Sequence, residues 1–566
     1  MGKQEGMLRN LYLRWLVPSV IGMLGGTVNV LFDGILTGLR LGETGIASVN
    51  QSMPVYLMLC TVGSLIAAGA SACSAEAAGG GMQEEAERYY GTAMEAALVF
   101  GGIFCFLGVL SSGLLAGVLG SAESRGMVET YIRITFFGGI FKILLYMAFF
   151  YLRLHGKAKQ AADAMLVMAV ANIALDYVFL FWLDLGIAGA AWASVLATAV
   201  ACGMGFWALG WKKGGALFTP VRLEAGKLLR IVKNGSPMAV NNLLSAVRLL
   251  CLNQIMDQVG GSTMVAVFGI TNSINEFSIC IQNGVPQAAS AMQGIYYGER
   301  DQDSIRTLLW LQLKVGAILS ACLAAGLLLG GREVGALFGV DQDLRFPVAC
   351  LAVSIILGTL NSVMTYYYYS IMKPGMANLI TVLRVFAVTV PMAYVMRPLG
   401  DRIWLFYWTA EGLTFIIWII IGRFYANKNG GKDLYFLETE LFGGTWIRET
   451  VACSSQAVCE ASEKIQSFCE TSGFSEEQAM TIGLAMEELM VIVAEKAMEN
   501  QGTMDVRIYQ NGDGGILRIR FEGKSYNPLE YAQESLEYLG VQMIINMAKK
   551  TEYQSMLGFN TLIVSV

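Results

Sequence analysis

The sequence predicts an α-helical polytopic membrane protein, twelve spans arranged as two six-helix parallel repeats, followed by a C-terminal soluble α/β domain. Three observations predict this. The chain has 566 residues, 55% hydrophobic and 15% charged, where soluble proteins carry roughly 25% charged residues. Its mean hydropathy is +0.52. Twelve apolar stretches reach the ~20 residues that a helix needs to cross a bilayer. The charge is also divided. Residues 1–431 hold 29 Lys/Arg and 24 Asp/Glu, a net of +5, whereas residues 432–566 hold 10 and 20, a net of −10. A purely soluble protein is excluded.

The stretches are 11–39, 46–75, 89–119, 127–154, 160–183 and 187–211, then 235–260, 264–293, 305–329, 346–372, 376–397 and 403–424. The first reads as a membrane helix rather than a cleaved secretory signal, because its apolar run is long and leads into further spans. Lys and Arg are about three times as frequent in alternate loops, among them Lys157, Lys159, Lys212, Lys213 and Arg230. That bias marks the cytoplasmic side. With an even span count, both termini of this multi-pass protein of the cell membrane are expected in the cytoplasm. The 11 Cys form no CxxC pair and His155 is the one histidine, so the Cys act as small apolar residues rather than zinc ligands.

The chain matches itself at an offset of 219. Pro18 meets Pro237, Gly42 meets Gly261, Gly139 meets Gly358 and Gly156 meets Gly375. Two even-numbered units enter the membrane from the same side, related by an axis along the membrane normal. The expected domains are an N-lobe (1–211), a cytoplasmic linker (212–234), a C-lobe (235–425), a second linker (426–444) and the tail domain (445–566).

Ionisable residues inside spans are costly and point to function. Asp33 in span 1 and Asp176 in span 5 belong to the first half alone, since their repeat mates are Leu252 and Val395. Asn172 lies one turn before Asp176 on the same helix face, and Ser194 in span 6 adds a hydroxyl. Such an oxygen-only set suits a hard monovalent cation or a proton, not a soft metal. The competing reading has both acids near span ends, capping or snorkelling. Glu276, Asn361, Tyr366 and Glu411 are candidates for a second-half substrate cavity, and Lys142, Lys314, Arg248 and Arg384 either partner its acids or snorkel from positions nearer an interface. The run Tyr366–Tyr369 offers either a cation–π surface or packing.

The order of Pro18, Asn29-Val-Leu-Phe-Asp33, Leu152-Arg-Leu-His-Gly156, Asn172-Ile-Ala-Leu-Asp176 and Gly186-Ile-Ala-Gly-Ala-Ala191 resembles the multidrug and toxic compound extrusion (MATE) family over about residues 8–425. The resemblance implies antiport by two rocking lobes, Na⁺ or H⁺ in against an organic substrate out. It carries the cation-coupling site over to Asp33, Asn172, Asp176 and Ser194, the last replacing a usual Thr. If Na⁺ is the coupling ion, Asp33, Asn172 and Asp176 hold it. Arg248 and Asn361 stand where some subfamilies place second-lobe acids.

In the tail, Ser475-Glu-Glu-Gln478 is a capping box that opens a helix to about residue 500. Residues 503–510 and 516–522 alternate as a hairpin. A helix over 536–549 and strands over 551–554 and 559–566 follow, so the expected sheet has helices on one face. Glu487-Glu-Leu489 and Glu522-Gly-Lys-Ser-Tyr-Asn-Pro528 resemble the anti-sigma-factor type of histidine-kinase-like (GHKL) ATPase domain. That resemblance implies a vestigial nucleotide site at Glu488, Ile492, Phe521, Glu522, Gly523 and Gly540. The family's Mg²⁺-holding Asn falls on Ile492 and its adenine-reading Asp on Phe521, so ATP binding and kinase activity are not expected.

The sequence therefore predicts a secondary transporter, not an enzyme. It would export amphipathic or cationic small molecules in exchange for Na⁺ or H⁺, with no tightly bound cofactor and no nucleic-acid partner. Its tail would be regulatory and would dock a cytoplasmic protein. The alternatives are a flippase for a lipid-linked or polysaccharide precursor, and a membrane-tethered signalling protein.

Overall fold

The computed structural model describes residues 3–121, 123–210, 223–330, 344–428, 445–511, 514–522, 526–532 and 538–566. The chain divides into two compact units. One is Leu11–Arg153 with Ala158–Glu438, and the other is Thr439–Val566 with Met1–Asn10 and Leu154–Lys157.

The larger unit is helical throughout its described residues. Its first half runs as α1 (Lys3–Gly79), α2 (Gln83–Leu119), α3 (Arg125–Phe137), α4 (Gly139–Leu154), α5 (Ala158–Tyr177) and α6 (Gly186–Leu209). Its second half runs as α7 (Ala225–Gly298), α8 (Gln302–Leu329), α9 (Arg345–Ser370), α10 (Pro374–Val382), α11 (Thr389–Met396) and α12 (Phe406–Lys428). The two long helices, α1 and α7, each break once at a repeat-matched glycine. Gly42 has φ 66° and ψ −158°, and Gly261 has φ 62° and ψ −151°. That backbone region is essentially open to glycine alone, so each glycine breaks one continuous helix into two segments.

Among the described residues, nine helices are long and apolar enough to cross a membrane. The count is ten if the pair α3 and α4, bent by 48°, forms one span. Two expected spans account for the rest of the difference. The stretch 235–260 carries Asn241, Asn242, Arg248, Asn253 and Asp257, which lower its hydropathy. The stretches 376–397 and 403–424 fall within one helical run, Pro374–Lys428, joined by a 3₁₀ segment over Arg397–Leu405 that turns at Gly400 (φ 56°). Helix α7 begins at Ala225, inside the expected linker 212–234; residues 211–222 and 429–444 lie outside the described residues.

The repeat returns where the halves meet. A Cβ on Gly79 would overlap the Ile295 carbonyl, and a Cβ on Gly298 would overlap the Glu76 carbonyl. Gly79 and Gly298 are repeat mates, as are Glu76 and Ile295, so the contact is reciprocal. Only residues without a side chain allow backbones this close.

In the smaller unit, β1 (Trp446–Ala452), α13 (Ser455–Thr471), α14 (Glu476–Lys496), β2 (Thr503–Asn511), β3 (Gly514–Phe521), α15 (Pro528–Tyr531), α16 (Leu539–Met547), β4 (Lys550–Met556) and β5 (Phe559–Ser565) follow in order. The strands form one antiparallel sheet in the order β1-β2-β3-β5-β4. The capping box forms as expected: the Ser475 hydroxyl accepts from Gln478 N (3.2 Å), and the Gln478 side chain accepts from Ser475 N (3.0 Å). Strand β1 was not foreseen. Its edge position and mixed sequence (Trp-Ile-Arg-Glu-Thr-Val-Ala) give weak alternation. Met504, Val506, Ile508, Leu517, Ile519 and Phe521 point to the helices and pack with Ile465, Met486, Leu489 and Ile544 in one core. The opposite sheet face carries Arg448, Asp505, Arg507, Arg518 and Arg520. There Arg448 grips Asp505 through two hydrogen bonds of 2.8 and 2.5 Å.

Candidate ion and substrate sites

The first half gathers a polar site from four helices. Asp33 and Asn29 come from the first segment of α1, Tyr131 from α3, Asn172 and Asp176 from α5, and Ser194 from α6. The 3.6-residue helical period puts Asn172 and Asp176 on one face. Asp33, Asn172 and Asp176 are all buried. Asn172 donates to Asn29 Oδ1 and to Asp176 Oδ2 (3.2 Å each), and its oxygen accepts from Ser194 Oγ (3.1 Å) and Ser194 N (3.3 Å). Tyr131 donates its hydroxyl to Asp33 Oδ2 (3.2 Å). Oδ1 of Asp33 and Oδ1 of Asp176 have no hydrogen-bond partner. Among the described residues no Lys or Arg forms an ion pair with either acid. All four predicted residues therefore belong to one site. Sequence reasoning missed Tyr131, whose repeat mate is Cys350, and gave Asn29 no role. Neither is ionic, so the search for intramembrane charge passed over them.

The physical balance of this site is clear. A buried carboxylate without a counter-ion is held only when a proton or a cation neutralises it. Two such groups lie close enough to interact electrostatically. Their free oxygens, with the amide and hydroxyl oxygens beside them, are hard donors of the kind that suits Na⁺. The same carboxylates can also carry protons.

The second half holds a different arrangement. Arg384 donates to Glu411 Oε1 (2.8 Å) and to Gln282. Asn361 donates to Glu411 Oε2 (2.7 Å) and accepts from Trp418 Nε1 (3.0 Å). Arg384 and Glu411 line a cavity of about 90 Å³ together with Arg248, Asn272, Asn283 and Tyr407. Glu276 lies within electrostatic reach of Arg248. Of the four expected cavity residues, Glu411 lines it, Asn361 braces Glu411, and Glu276 faces Arg248. Tyr366 departs from the expectation. It is buried edge-to-face against Tyr369 (83° between rings), and Tyr369 donates to Ala68 O (2.6 Å), so the tyrosine run packs α9 against α1. Lys142 departs as well: it bonds Tyr56 Oη (2.9 Å), not a carboxylate of the second half.

In the smaller unit, Ile492 and Phe521 are core residues. A Cβ on Gly540 would overlap the Glu488 carboxylate, which fixes how closely α16 approaches α14. Glu522 is exposed, and Gly523 lies outside the described residues.

Duplicated bundles of membrane-crossing helices around buried, unmatched carboxylates define a transporter rather than an enzyme. The family follows from a match made twice over. The MatE family model fits residues 18–178 and again residues 237–399, more than half of the chain, and the two matches start 219 residues apart. The chain belongs to the MatE family of membrane transporters. It is similar to the multidrug export protein MepA of Staphylococcus aureus strain MSSA476, 22% identical over 419 residues that cover 72% of this chain and 88% of MepA. The MepA of Staphylococcus saprophyticus is 21% identical over 414 residues, covering 72% and 88%. Among solved structures, an outward-facing multidrug-resistance MATE transporter superposes with TM-score 0.70 at 23% identity, covering 74% of this chain and 95% of that one. A MOP-superfamily transporter of Pyrococcus furiosus gives TM-score 0.69 at 23% identity, with coverage of 74% and 95%. The fold is that of the MATE transporters, with a small sheet-containing domain added after it.

Proposed function

We propose that the chain is a cation-coupled antiporter that exports amphipathic or cationic small molecules across the cell membrane, with Na⁺ or H⁺ flowing inward. One observation carries the reading: Asp33 and Asp176 are buried with free oxygens and no basic partner. A site of that kind alternates between a bound cation and a bound proton. Substrate and ion then compete for one lobe, which is the requirement for exchange. MepA's name as a multidrug exporter supports the substrate class. The twelve-span topology, with both termini in the cytoplasm, is part of this proposal; the excess of Lys and Arg in alternate loops supports it. The tail is read as a GHKL-like domain that has lost its nucleotide site and serves regulation, because Ile492 and Phe521 now belong to its core.

Proteoliposomes with separately imposed Na⁺ and H⁺ gradients test the coupling. Efflux of a cationic dye should follow one gradient and fall at least a hundredfold in Asp33→Asn. Efflux that ignores both gradients would refute it. For the tail, micromolar Mg-ATP binding in a calorimetric titration of the full chain would refute the degenerate reading.

A further inference from the structure

The two lobes differ in charge at matched positions of their cavities. At the offset of 219, the mate of Asn29 is Arg248 and the mate of Asp33 is Leu252. Both Arg248 and Leu252 line the second-half cavity. Where the first half presents carboxylates, the second presents a guanidinium beside an apolar wall.

The two arginines there are not equivalent. Arg384 is engaged by Glu411 through Nε and by Gln282 through one terminal nitrogen. Among the described residues Arg248 makes no hydrogen bond at all, although it faces the cavity with Glu276 in electrostatic reach. Around it stand neutral amides, Asn241, Asn272 and Asn275, and the hydroxyl of Ser245. The charged side chains lining the cavity are Arg248, Arg384 and Glu411, a net of +1. The cavity has a volume of about 90 Å³, several times what one water needs. A guanidinium with unused donors, flanked by amides, matches a carboxylate or phosphate in two-pronged fashion.

We propose that the second-half cavity is an anion-accepting half-site, in which Arg248 binds the carboxylate or phosphate of the transported amphiphile while the first half handles positive charge. The proposal rests on the exporter reading and extends it: the substrates favoured by this chain are zwitterions rather than simple cations.

A matched dye pair tests it. Rhodamine 123 is the methyl ester of rhodamine 110, so the two differ by one free carboxylate. Fluorescence anisotropy on the detergent-solubilised full chain, against protein-free micelles, gives both dissociation constants. Rhodamine 110 should bind about tenfold tighter, the effect of one charge-assisted pair. In Arg248→Gln the ratio should fall to about one. In Arg248→Lys it should be intermediate, because an ammonium keeps the charge and loses the fork. A ratio near one in the native protein, or a preference that survives Arg248→Gln, overturns the proposal. Farnesyl phosphate, added as competitor, separates the sources of the anion. If it displaces rhodamine 110 from Arg248, a lipid phosphate is an occupant; if it does not, the site serves soluble carboxylates. Both results keep the half-site. A carboxylate preference without gradient-driven efflux of either dye would remove the exporter reading and leave the half-site standing.

Discussion

At the scale of single residues, the decisive feature is a pair of acids with nothing of opposite charge beside them. Asp33 and Asp176 interact electrostatically with each other, so they should fail as a unit. Asp33→Asn and Asp176→Asn, each measured as coupled efflux, should lose nearly as much singly as together, since groups acting jointly are strongly non-additive. Additive losses would show two independent sites. A second residue-scale prediction concerns the tail thiols. Burial, reinforced by Glu470, pushes the Cys469 thiol up to about 11, whereas Cys459 is exposed. Maleimide at pH 8 should therefore label Cys459 well before Cys469, read by peptide mass mapping, because the thiolate is the reacting form. The acids were legible in the sequence, since charge inside an apolar run is conspicuous there. Tyr131 was not, because a tyrosine in a membrane helix carries no mark of the carboxylate it will meet across the bundle.

At the scale of elements, glycine decides where helices turn. Gly42 sits in a backbone region that other residues enter only under strain, so Gly42→Ala should cost of order 1–3 kcal/mol. Gly34 lies in a helical stretch of the same element with open space around it. There Gly34→Ala should be neutral or stabilising by up to ~1 kcal/mol. Thermal unfolding of the solubilised chain compares the two, and equal effects would refute the turn argument. At the start of α14, Ser475→Ala removes a capping box worth ~1 kcal/mol. Hydrogen exchange in that first turn should quicken roughly fivefold in the intact chain. Helices α14 and α16 and the β2–β3 hairpin were visible as periodicity. Strand β1 was not, because an edge strand with few apolar residues depends on its neighbour for its shape. The gap between twelve expected spans and nine or ten apolar helices has a related cause. The stretch 235–260 holds the polar residues that build the cavity, and those residues hide it from any measure of hydropathy.

At the scale of the whole molecule, the repeat explains both what the halves share and what they do not. The turn glycines match, while the charged positions differ in identity at Asn29/Arg248 and Asp33/Leu252. The contact of Gly79 with Ile295 and of Gly298 with Glu76 sets how closely the halves can come. Gly298→Val should hold them apart. Spin labels at Gln83 and Gln302, the repeat-matched first residues of α2 and α8, would report a longer separation by pulsed electron resonance. An unchanged distance would show that this contact does not limit closure.

The reciprocity of that contact is a matter of symmetry. A surface on which one position meets the copy of a second, and the second meets the copy of the first, is the mark of an isologous pair. Two identical copies of one half, packed about a two-fold axis, would meet in the same way, with one glycine serving both sides of the axis. In a tandem chain the off-axis positions need not suit both halves at once. Acids could then collect in one half and an unpaired guanidinium in the other. The axis itself kept its glycines, because there the two halves still have to be alike.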